Sequence, residues 1–142
     1  MKRISLEAAN TIIAAALKKG AELGLNPLSV SVLDAGGNPI AFQRQDGASN
    51  SRFQIASGKA AGALALGVSS RSIEKMAIDR PHFIGAFVSQ TPFGLIPAAG
   101  GLIAKDADGN IVGAVGVTGD TSDNDELCTV AGIEAANLTA QM

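Results

Sequence analysis

Asp120, Asp123, Asp125 and Glu126 crowd four carboxylates into the acidic end of one glycine-rich run, GGLIAKDADGNIVGAVGVTGDTSDND (residues 100–125), and the residue after it. Clustered carboxylates suit a hard cation or iron. They equally suit the first turn of a helix, where acids offset the macrodipole. Asp123 with Glu126 three residues on has capping-box spacing, with Asp in the Ser/Thr place, so Asp123 is the expected cap. Gly113, Gly116 and Gly119 lead from a strand into that helix, and exposed amides there can bind an anion. The run is no dinucleotide fingerprint and lacks the Lys-Ser/Thr ending of a P-loop. Its acids would also repel phosphate.

Other chemistry is sparse. His82, in DRPHFIG, is the only histidine; a lone imidazole serves as an axial haem ligand, a general base or simply a loop residue. Cys128 is the only cysteine. It makes no internal disulfide and sits one turn into an amphipathic helix, where a small buried hydrophobe is expected. Lys59 is the one charge in SGKAAGALALG. Either its stem carries the ammonium to solvent, or it sets a positive charge beside a tightly packed wall, as a carboxylate-bearing ligand needs. Arg44 and Asp46, at the end of a hairpin, form an exposed ion pair of little worth or line the same mouth. No Ser-His-Asp or Cys-His spacing is present.

These residues need elements to hold them. Leu6, Ala9, Ile13, Ala16 and Leu17 share a helical face behind a Ser5 cap, which predicts a helix over about residues 6–23. LSVSVLD (28–34) and PIAFQR (39–44) read as strands joined by the turn DAGGN. Residues 51–66 read as a helix so poor in side-chain bulk that another backbone or a ligand must come close. A short helix follows, with Ser70 as cap and Pro81 as its end. Residues 83–101 are ambiguous; Pro and Gly exclude a long helix, leaving a loop and a strand near 95–97. A second hairpin turns at 106–110. The last helix begins after Thr121, with Leu127, Val130, Ala131 and Leu138 as its buried stripe. The order α-β-β-α-α-β-β-β-α predicts an α+β domain with an antiparallel sheet.

With 142 residues, one domain spanning 1–142 is expected. A net charge of −2, with 4% aromatic residues and no Trp or Tyr, argues against a nucleic-acid partner. No apolar run reaches the roughly 20 residues that span a bilayer. Glu7 and Asn10 break the run behind the basic start, so a signal peptide is not expected. No membrane partner and a cytoplasmic location follow. A mean hydropathy of +0.25 in so short a chain predicts apolar surface that another copy covers.

The stretches VLDAGGNPIAFQRQDGA, SGKAAGALALG, AAGGLIAKDADGNIVGAVGVTGDTSDND and AGIEA resemble the GlcG/HbpS family of haem-binding proteins. That family includes the C-terminal domain of PduO-type corrinoid adenosyltransferases. The resemblance covers essentially the whole chain. It implies a profilin-like fold, a five-stranded antiparallel sheet flanked by helices, and assembly into homo-oligomers. Some members bind or degrade haem; others accompany catabolic enzymes. Some carry a His in the first helix, and this chain has none there. The resulting expectation is an oligomeric binder of a small anionic ligand, with haem as the candidate cofactor and no other. Arg44 and Lys59 would hold ligand carboxylates. Gly100 and Gly101 would admit close backbone approach. His82 would ligate the metal or carry a proton. The alternative is a cofactor-independent enzyme acting by proton transfer or hydration on a small carboxylated catabolite, with His82 or Asp46 as base. The residues leave enzyme and binding protein open.

Overall fold

The computed structural model describes residues 3–142; Met1 and Lys2, the start of the basic N-terminus, lie outside them. The chain runs α1 (Leu6–Glu22), β1 (Ser29–Asp34), β2 (Pro39–Arg44), α2 (Arg52–Leu66), α3 (Ser70–Asp79), α4 (Pro81–Phe87), a 3-10 turn (Val88–Gln90), β3 (Gly101–Lys105), β4 (Ile111–Thr118), α5 (Ser122–Ala135) and β5 (Thr139–Gln141). The five strands form one sheet in the order β2-β1-β4-β3-β5, antiparallel throughout. This is the α+β architecture expected, with an added helix, α4, and one change among the strands. The fifth strand is the C-terminal β5, not residues 95–97. Three partly polar residues carry no periodicity of their own, so only pairing with β3 makes β5 a strand.

Alternation sorts the strands between two helical layers. Val30, Val32, Val115 and Val117 point into the main core, which α1 closes with Ile12, Ile13 and Ala16. Leu33 and Ala114 face the other way and pack with Ala60 and Ala61 of α2. Both hairpins turn on the same device. Asp34 Oδ1 accepts from the amides of Gly36 and Asn38, and Asp106 Oδ1 from those of Asp108 and Asn110. The amide of Asn110 holds the Asp106 carboxyl below its ordinary range.

Small residues let α2 lie directly on the sheet. A side chain at Gly116, mid-β4, would collide with the Ala56 carbonyl of α2. At Gly58 it would meet Ile96, and at Gly62 Leu95. The crowding inferred from sequence is therefore satisfied by protein on both sides of α2.

Residues 81–98 depart from expectation. Pro81 starts α4 rather than only closing α3, because its missing N–H costs nothing at a first helical position. Ile84 is then buried with Ile73 and Leu95 in a satellite cluster under Phe83 and Phe87. The caps also shift. Ser5 caps α1 as expected, but Ser69 caps α3, accepting from the Ser72 amide, while Ser70 Oγ accepts from the Gly101 amide. Thr121, not Asp123, caps α5 through the Asn124 amide. Of the expected stripe, Leu138 is buried after the helix end and Val130 packs against the core, but Leu127 is half exposed, and Cys128, Thr129, Gly132 and Ile133 form most of the buried side.

Two substitutions check this packing. Thr121→Ala should cost about 0.5–2 kcal/mol in urea unfolding, and Asp123→Ala about 1 kcal/mol or less, as for an exposed ion pair. Gly116→Val should lower the melting temperature far more than either, because α2 must lift off the sheet.

Candidate functional site

The structure divides the expected site residues among three places. Lys59, Gly100 and Gly101 come together inside the protein. Lys59 is 2% exposed. Its ammonium donates to the Val117 carbonyl at 2.9 Å and to Asp125 Oδ2 at 3.2 Å. Asp125, also buried, accepts the Asp120 amide on its other oxygen at 2.9 Å. Thr129 Oγ1 donates to the Gly100 carbonyl. Lys59 thus ties α2 to the end of β4 and the first turn of α5.

Gly100 and Gly101 make that tie possible. A Cβ on Gly100, whose φ is +126°, would lie 2.9 Å from Lys59 Nζ. One on Gly101 would run into the Lys59 backbone. The close approach predicted at these glycines is that of Lys59 itself. Burial pushes the Lys59 ammonium below the ordinary lysine range, with the Asp125 charge opposing it. Desolvation thus outweighs the attraction, as in many buried ion pairs.

The remaining acids are also engaged. Arg71 donates to Asp123 Oδ1 at 2.6 Å and to both oxygens of Glu126 at 3.2 Å. Asp120 accepts from the Asn124 side chain and the Asn26 amide, which hold its carboxyl below the usual range. No three His, Cys, Asp or Glu side chains among the described residues are placed to hold a metal ion. Burial pushes the Cys128 thiol up to about 11.

Arg44 and Asp46 line an open groove of about 570 Å3 between the C-terminal end of α1 and the edge strand β2. Leu17, Ala21 and Leu25 make its apolar wall, and Gln43 and Asn26 add polar groups. Gln45 is anchored, its Oε1 accepting the Leu28 amide at 2.6 Å. His82 is not among the lining residues; it is exposed on α4, which packs on α3.

The family model of haem-degrading HbpS-like proteins matches residues 4–134. The chain belongs to the HbpS-like family. No curated protein matches it. Solved structures of HbpS share its fold over most of the chain. HbpS has 28% identity over 94% of this chain and 90% of that one, with a TM-score of 0.79, and a double mutant of the Streptomyces reticuli protein gives the same values over 87% of its chain. Klebsiella pneumoniae protein ORFY has 29% identity over 96% and 92%, with a TM-score of 0.85. The PduOC:haem complex has a TM-score of 0.85 and covers 99% of each chain, and at 21% identity it shows the shared fold alone.

Sequence reasoning singled out Lys59 but missed its partner Asp125, which was grouped with the other acids. It also missed Arg52, whose Nη1 donates to Thr118 Oγ1 at 2.7 Å. A signal existed: Arg52 and Lys59 are seven apart, two turns along one face of α2.

Breaking the buried pair tests its role in this HbpS-like chain. Asp125→Asn and Lys59→Met should each lose about 3–5 kcal/mol of unfolding free energy. Asp125→Leu combined with Lys59→Met should recover much of that loss in the same denaturant titration.

Proposed function

We propose that this chain is an oligomeric small-ligand-binding protein whose ligand is haem or a related small anionic metabolite. The groove beside Arg44 carries the reading. Its volume of about 570 Å3 falls within the roughly 300–1,000 Å3 of small-molecule sites. An apolar wall with an arginine at its rim, at the open end of the edge strand, suits a flat apolar ring with carboxylates at its edge. The haem-degrading description of the family and the haem complex of PduOC favour haem among such ligands.

The fit is to the ring and its carboxylates. The lining residues include no His, Cys, Met or Tyr, so the groove offers no iron ligand of those kinds. His82, the only imidazole of the chain, lies outside that lining, so we assign it the iron-ligand role only from another copy in the oligomer. Being exposed, it is accessible to a ligand or to another copy. Lys59 supports the fold where α2, β4 and α5 meet, since its charge is already matched by Asp125. When bound, haem would supply the iron chemistry; the chain's own groups bind and orient it.

Arg44 and Asp46 in one groove, neither in an ion pair among the described residues, favour a second reading. There Arg44 holds the carboxylate of a catabolite and Asp46 moves a proton.

Haem titration of the purified protein should give a Soret band. Arg44→Ala should weaken binding about tenfold, and His82→Ala should shift the band. Spectrum and affinity unchanged in His82→Ala would remove the imidazole from the assignment. Failure to take up haem, with a carboxylated metabolite identified by mass spectrometry, would favour the second reading. Sedimentation at micromolar concentration should show an assembly heavier than the 14.2 kDa chain.

A further inference from the structure

Arg44, Ser29 and Thr118 stand opposite one another on the adjacent strands β2, β1 and β4. All three point to the α2 side of the sheet. Two residues along the same row, Ser31 bonds Ser57 of α2 at 2.9 Å, and Phe42 meets the Phe53 ring edge-on at 4.9 Å. Strands spaced about 4.8 Å apart put Arg44 and Thr118 roughly 10 Å from each other, within reach of two arginine side chains.

The row is rich in unmatched donors. Arg52, in the first turn of α2, uses one of its five N–H groups on Thr118 Oγ1. Neither Arg52 nor Arg44 has a carboxylate at ion-pair distance among the described residues. Ser51 makes no side-chain cap on α2, and that first turn holds no acid. The amides of Phe53 and Gln54 find no acceptor in the preceding loop. Beneath them Ser29 is wholly buried, and its Oγ has no hydrogen-bond partner. A buried hydroxyl left unpaired carries a desolvation cost with nothing to offset it. The nearby acids do not answer these charges. Asp125 belongs to Lys59, and Asp46 is exposed at the groove.

We propose that this end of α2 binds a compact oxyanion, a carboxylate or phosphate. Arg44 and Arg52 hold it, the first-turn amides of α2 face it, and the Ser29 hydroxyl lies beneath. Two guanidiniums and a helix N-terminus suit such a group. The site shares Arg44 with the haem reading but rests on Arg52, Ser29 and the first-turn amides of α2, which that reading does not use.

The test titrates the whole protein with inorganic phosphate at constant ionic strength, with chloride as the control and acetate as a second series. Backbone amide shifts and melting temperature are the readouts. Phosphate or acetate should give saturable shifts centred on Phe53 and Gln54 and a saturating rise in melting temperature; the stronger of the two names the ligand class. Arg52→Gln should weaken the response about tenfold. Ser29→Ala should melt at or above the wild type without the anion, yet respond more weakly to it. A response no greater than that to chloride, or full affinity in both variants, would overturn the site. Haem uptake without an anion response removes only this inference, and an anion response without haem uptake removes only the haem reading.

Discussion

The contact between Lys59 and Asp125 joins three parts of the fold at one point. Lys59 belongs to the helix on one face of the sheet, Asp125 to the helix on the other, and the Val117 carbonyl to the strand between them. Neither charge is stable there alone, because burial strips each of its water. The pair therefore demands a fixed geometry. Gly100 and Gly101 must lack side chains, β4 must end at the right height, and the turn at Asp120 must present its amide to Asp125. A buried ion pair is a weak source of net stability, but a misplaced helix would leave it unmatched. Its value is in specifying how the layers meet.

The same economy of side chains governs the rest of α2. Five Phe are the only aromatics, and three of them, Phe42, Phe53 and Phe93, meet edge to face near the rim. Between helix and sheet the contacts are instead made mostly by Gly, Ala and Ser, with Leu33 the large exception. Gly116 brings β4 against the Ala56 carbonyl, while Gly58 and Gly62 receive Ile96 and Leu95 from the loop before β3. Such surfaces approach closely and forfeit dispersion contacts if separated even slightly. The region before β3 can be irregular because it is seated on this flat helix.

Charge is partitioned accordingly. The acids at the start of α5 neutralise Lys59 and Arg71 and hold local amides. The arginines at the end of β2 and the start of α2 have no such partners among the described residues. The acidic end of the sequence is thus structurally occupied, and the free positive charge lies elsewhere.

Residue order alone determined the elements whose signals are local. The Ser5 cap, the two Asp-led hairpin turns, the long first helix and the alternation of β1 each depend on neighbours a few positions away. The glycines also announced that something approaches them. What approaches was decided only in three dimensions. Lys59 and Asp125 are 66 residues apart, and so no spacing rule links them. The cap of α5 is Thr121 rather than Asp123 because the helix already starts at Ser122, which puts Asp123 inside the first turn, where it meets Arg71, 52 residues away. The fifth strand exists because β3 offers it an edge. Arg44 and Asp46 share a groove because α1 ends beside β2, whereas His82 stands on a different helix. Local backbone preference is written in short runs of residues; the partners of buried charges and unpaired strand edges are set by which distant segments the packing brings together.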